Sequence, residues 1–213
     1  MIRHILTFFI LVLSFNLKAQ DEESKIYKKI FAYADSIKKT GIRCKFNTSI
    51  DKTLTSLDKK QPVAFFEKAA NLMKEGKLND ASLVYYVGYF RYGYYNQSNP
   101  DYKADEDGSL MAAMKSIVGE PINLFLHLDI DNFIKILEYT SNWLTKHDFQ
   151  FYSKNKDKVK YDLQCKELKD LITDLTKNKS KYTEKWKEDI QLYKKVYIDN
   201  PKTSKNKRTK PNA

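Results

Sequence analysis

Glycine and proline are scarce in this chain, with six Gly and five Pro in 213 residues. Counts that low exclude a collagenous or linker-like protein and argue against a turn-rich β-sandwich. Cysteine is scarcer still. Two residues, Cys44 and Cys165, exclude a disulfide scaffold and leave at most one bridge. Arginine supplies only four of the 38 basic residues, and there are three His. There is no H-E-x-x-H pair, no Gly-rich phosphate loop and no G-x-S-x-G elbow. The carboxylates are scattered, so no acid–base pair is nominated for catalysis, and no cofactor or metal motif is found. After residue 19 no run approaches the ~18 uncharged apolar residues of a membrane-spanning helix, so the mature chain is expected to lack a span.

Apolar and aromatic residues are plentiful. Hydrophobic residues make up 42% and aromatics 14%, with 15 Tyr and 12 Phe, enough for a real core and too many for a disordered chain. The formal net charge of +11 invites a nucleic-acid reading, and its distribution argues against one. Arg3 and His4 lead an eleven-residue uncharged run, Ile5 to Phe15, followed by a short polar stretch to Ala19. That is the layout of a secretory signal peptide, with cleavage expected after Ala19 and a periplasmic or secreted destination. No Cys follows the cut, so no lipid attachment is expected. The signal carries two of the charges. The tail 202–213, expected to be disordered, carries five basic residues and no acid. What remains is +4 over 20–201, too little for a nucleic-acid footprint.

Residues 20–201 read as one all-α domain, a bundle of seven or eight helices. Ile26, Ile30, Ala34 and Ile37 recur at helical spacing over 21–40, with Gly41 as the stop. Residues 42–61 read as a loop with a short helix. Pro62 opens a helix ending at Gly76, and a second runs from Asn79 to Tyr94. The second is apolar on every face, which places it at the centre. The 96–107 segment reads as a polar loop. Leu110–Val118 reads as a helix closed by Gly119, and Pro121 opens the next. Asp129 or Asp131 caps a longer helix through Leu144. Two Lys-rich helices, over 156–177 and about 180–198, complete the body before Pro201.

In the 62–93 stretch, Phe65, Ala69, Leu72, Gly76, Ala81, Tyr85 and Gly88 alternate large and small residues across a turn. These positions resemble a single tetratricopeptide-like helical hairpin, with Lys77–Leu78 at the turn pair and Gly93 in place of the closing Pro. There is no second copy, and a packed αα-hairpin inside an ordinary bundle gives the same pattern. Over a wider span, Tyr86, Gly88, Arg91 and Tyr92, then Val118, Gly119, Pro121, Ile122 and Asn123, resemble a family of uncharacterised bacterial exported all-helical proteins. The resemblance covers under half the chain and implies architecture, not chemistry.

Arg91 is one of two Arg in the body and lies among Tyr85, Tyr89, Tyr92 and Tyr95. A planar, forked donor that stacks on rings suits an anionic or peptide ligand in a Tyr-lined groove. The same residue could equally bond helix-end carbonyls or an acid such as Asp129 or Asp131 across the bundle. His127 with Asp129 and Asp131 spells a metal- or acid-rich segment, though the acids also suit helix caps. His147–Asp148 adds no motif. Cys44 and Cys165 form a candidate bridge in an exported protein. The function expected from these features is non-enzymatic binding of a peptide or protein partner. The alternatives are an envelope hydrolase using His127 and nearby acids, and an anionic-polymer binder acting through the tail.

Overall fold

The structure is a computed structural model that describes the backbone of residues 2–43 and 45–199, with side chains from Asp21 onward. Among the described residues every regular element is helical: α1 (Ile2–Thr40), α2 (Ile50–Leu57), α3 (Val63–Lys74), α4 (Leu78–Ser98), α5 (Ser109–Met114), α6 (Glu120–His127), α7 (Ile130–Lys146), α8 (Lys158–Lys177) and α9 (Lys179–Lys194). Five-residue π-helical turns at Ala104–Gly108 and Lys115–Gly119 join α5 and α6 into one rod, and a third extends α9 to Asp199. The described residues therefore form eight continuous helical bodies, as the sequence pattern predicts. None is long and apolar enough to cross a membrane.

The α3–α4 hairpin is the centre of the bundle. Gly76 takes a left-handed φ of 80°. Lys77 N donates to Leu72 O at 2.9 Å and Gly76 N to Met73 O at 3.0 Å, the paired bonds that close a helix on a glycine. The two helices then touch at Gly88, where an added Cβ would lie 2.3 Å from Phe65 Cβ. Fifteen of the 21 residues of α4 are buried, in agreement with its all-round apolar pattern. It packs against α3, α6, α7 and α8.

Around that axis α1, α2, α3, α6, α7 and α8 each bury residues of one face. In α1 the stripe is Tyr27, Ile30, Ala34 and Ile37, and Gly41 ends the helix at φ 68°. Asp129 caps α7 by accepting from Asn132 N at 3.0 Å, and Asp157 caps α8 by accepting from Lys160 N at 3.1 Å. In α9 only Trp186 is buried, so that helix lies on the outside of the bundle.

The expected break at Gly119 does not occur. The chain stays helical from Ala104 to His127. Gly119 is small because Tyr85 occupies the space beside it: a Cβ there would meet the Tyr85 hydroxyl at 2.2 Å. Pro121 brings no N–H to the helical ladder, and the π turn just before it widens the helix where that bond is missing. The polar 96–107 segment likewise turns helical at Ala104. The side chains of the expected signal segment, Cys44, and the tail from residue 200 lie outside the described residues.

Candidate functional site

Arg91 sits on α4 with its side chain fully enclosed. Its Nε donates to Asp58 Oδ1 at 3.0 Å. Its Nη1 donates to the Tyr161 hydroxyl at 2.8 Å, and its Nη2 to the His147 carbonyl at 2.9 Å. The guanidinium lies 5.4 Å from the centre of the Phe149 ring and 5.8 Å from that of Tyr161. Asp58 also accepts from Trp143 Nε1 at 3.1 Å, while the Tyr161 hydroxyl donates to Leu144 O at 2.6 Å. One side chain thus ties the end of α2 and the last turn of α7 to α4 and α8. Burial pushes the Asp58 carboxyl above its ordinary range, and Arg91 pulls against that rise. The acid is Asp58 rather than Asp129 or Asp131, because those two are engaged elsewhere.

This arrangement corrects the expected Tyr-lined groove around Arg91. The residue is turned inward with three protein partners, so it presents no donor at the surface. Tyr85 and Tyr92 are buried as well. The Tyr85 ring meets Phe66 edge-on at 5.4 Å and Tyr86 at 5.3 Å. Its hydroxyl is desolvated, which raises its pKa. Tyr92 donates to Asp107 O at 3.4 Å, pinning the start of the 104–127 rod to α4. The rings left half-open are Tyr89 and Tyr95. Lys115 Nζ stands 5.1 Å above the Tyr89 ring, and Tyr95 meets Tyr152 edge-on at 5.2 Å. The five nominated residues are therefore split between core and surface, and only Tyr89 and Tyr95 offer any face to a ligand.

The acid-rich segment is likewise dispersed. His127 stacks flat on Trp186, with ring centres 3.9 Å apart and planes at 6°. Burial, helped by nearby Lys185, pushes the imidazole down to about 4. Asp129 is both the α7 cap and the partner of Arg43, at 2.7 and 3.0 Å from Nε. Asp131 pairs with Lys179 at 2.7 Å, and that hydrogen bond lowers its pKa. Among the described residues no three His, Cys, Asp or Glu side chains converge on a point that could hold a metal. His147 stacks on Trp143 at 3.7 Å. Cys165 is half-buried on α8, where burial pushes its thiol up.

A second polar knot lies at the first turn of α4. Asn132 donates to Asn79 Oδ1 at 2.9 Å, and Asn79 donates to the Tyr33 hydroxyl at 2.9 Å. Asp80 accepts from Asn47 N at 3.0 Å. Asn79 also donates to Lys45 O at 3.3 Å, and with the Asn47–Asp80 bond this holds the 41–49 loop onto the hairpin. The depression beside them is shallow and open, as is another along α2 beside Asp51 and Thr55.

The outer face of the 104–127 rod is different in kind. Ile117 is 68% exposed and Leu110 40%. Ala113 between them is exposed too, and Met111 and Met114 are half-covered. Leu110, Ala113 and Ile117 stand at helical spacing within the segment the sequence reads as a helix, but spacing alone does not say which face meets solvent. No protein-family model, curated protein or solved structure matches the chain.

Proposed function

We propose that this chain is an exported, non-enzymatic helical module that binds a peptide or protein partner on the outer face of the 104–127 rod. The observation that carries this reading is the exposed stripe Leu110–Ala113–Ile117. Apolar side chains kept in water at helical spacing suit an apolar face supplied by a partner. Tyr89, half-open beside Lys115, adds an amphipathic ring at the edge of the stripe. The exported state is supported by the basic start, short apolar run and Ala19 of the first 19 residues. A hydrolase is the weaker reading, because His127, Asp129 and Asp131 each serve a separate packing contact.

The test compares the tagged mature protein with a Leu110→Glu, Ile117→Glu variant in capture from envelope extract. Both positions are exposed, so helical content and urea midpoint should stay close to wild type. Proteins retained by wild type and lost by the variant support the surface. Equal recovery by both overturns it.

A further inference from the structure

We infer that Gln20 becomes the N-terminal residue of the mature chain and closes on itself to a pyroglutamyl ring. This rests on the cleavage part of the proposed function, since a cut after Ala19 makes Gln20 the first residue. Only N-terminal glutamine carries a side-chain amide at the reach needed for a five-membered lactam with its own α-amine. The amine nitrogen attacks Cδ, the new C–N bond forms, and the old C–NH2 bond breaks. Ammonia leaves with the amine proton, and no oxidant or reductant is needed.

The residues that follow the cut are exposed from Asp21 to Glu23. α1 runs through position 20 without interruption. Among the described side chains of α1, the first contacts to a distant helix are Glu23, which accepts from the Tyr197 hydroxyl at 2.8 Å, and Tyr27, which stacks on Tyr197. Asp21 and Glu22 precede that contact and reach Lys25, one turn further on, from exposed positions. Position 20 precedes this acidic, exposed stretch in the sequence. A cut there also changes the electrostatics of α1. An open terminus would put an ammonium at the positive end of the helix dipole, where cations are disfavoured. The lactam removes that charge and leaves Asp21, Glu22 and Glu23 as an acidic first turn, the sign the dipole favours. The closed ring also denies aminopeptidases the free amine they require.

The experiment expresses the full chain in an exporting host and takes freshly harvested mature protein. Peptide mass spectrometry should find a terminal peptide that starts at residue 20 and is lighter than its open form by one ammonia. Edman sequencing should be blocked, and pyroglutamyl aminopeptidase should restore it with Asp21 first. A Gln20→Asn variant should be cut at the same bond and sequence normally. An open Gln20 in fresh protein overturns the cyclisation while leaving the cleavage intact. A terminal peptide beginning anywhere else overturns the cleavage, and the cyclisation with it.

Discussion

Arg91 and Asp58 form a sealed ion pair: their side chains are 0% and 3% exposed, and Nε lies 3.0 Å from Oδ1. The pair also shares Trp143, Tyr161 and the His147 carbonyl. A buried pair of this kind is weak evidence of net stabilisation, but losing one member leaves a bare charge in the core. Arg91→Ala should therefore cost about 3–5 kcal/mol in urea unfolding. Asp58→Leu together with Arg91→Met should cost clearly less than the sum of the single variants. A single-variant loss below about 1 kcal/mol would show that the pair is not sealed from water.

Gly88→Ala inverts the usual helix rule. In an open helix the change would stabilise by roughly 1 kcal/mol. Here the new Cβ would stand 2.3 Å from Phe65 Cβ, which is fixed to its backbone and cannot swing aside. α3 and α4 must separate, and a loss of about 2–3 kcal/mol is expected from thermal or urea unfolding. A neutral or stabilised variant would contradict the close approach of the two helices.

His127 should make stability depend on pH. Its imidazole stays neutral in the fold down to about 4, against an ordinary 6.5. A depressed histidine stabilises above its unfolded value, and that contribution is lost as pH falls from about 6.5 toward 4. The difference corresponds to at most about 3 kcal/mol. His127→Phe keeps the ring stack on Trp186 but removes the titration, so the variant should lose less stability than wild type between those pH values. Parallel pH curves for the two proteins would refute a buried neutral imidazole.

Trp186 is the single buried residue of α9, covering His127 and lying 6.2 Å from the Phe133 ring. Trp186→Ala should cost about 3–5 kcal/mol. It should also return the His127 titration toward the ordinary histidine value, as read by NMR, because burial is the larger cause of the depression. Fast amide exchange confined to α9 and its π extension would mark the helix as undocked. An unchanged His127 titration would mean that another group keeps the imidazole dry.

The helices were legible because their apolar residues repeat every third or fourth position and because Pro62, Gly41 and Gly76 sit at the boundaries. The central place of α4 followed from its lack of a polar face. The continuity at Gly119 was not legible, since its cause is a tyrosine hydroxyl from another helix and local spacing says nothing of that. Asp58 was a readable signal that was missed. It falls four residues after Leu54, on the stripe of Ile50 and Leu54, so the α2 pattern placed a carboxylate inward and called for a cation. Arg91 stands out by its rarity, but rarity does not tell a core knot from a ligand contact.

The stack of Tyr27 on Tyr193 and Tyr197 joins the beginning of the body to its end. Tyr193 donates to Glu120 in the middle of the chain, so that seam touches three distant stretches of sequence. Contacts of such separation carry a large loop-closure cost and form late in folding. The α3–α4 hairpin can close on local contacts alone, whereas this clasp waits until helices far apart in the sequence have met. The tyrosine seam, rather than any single helix, is what turns the bundle from an open assembly into a closed one.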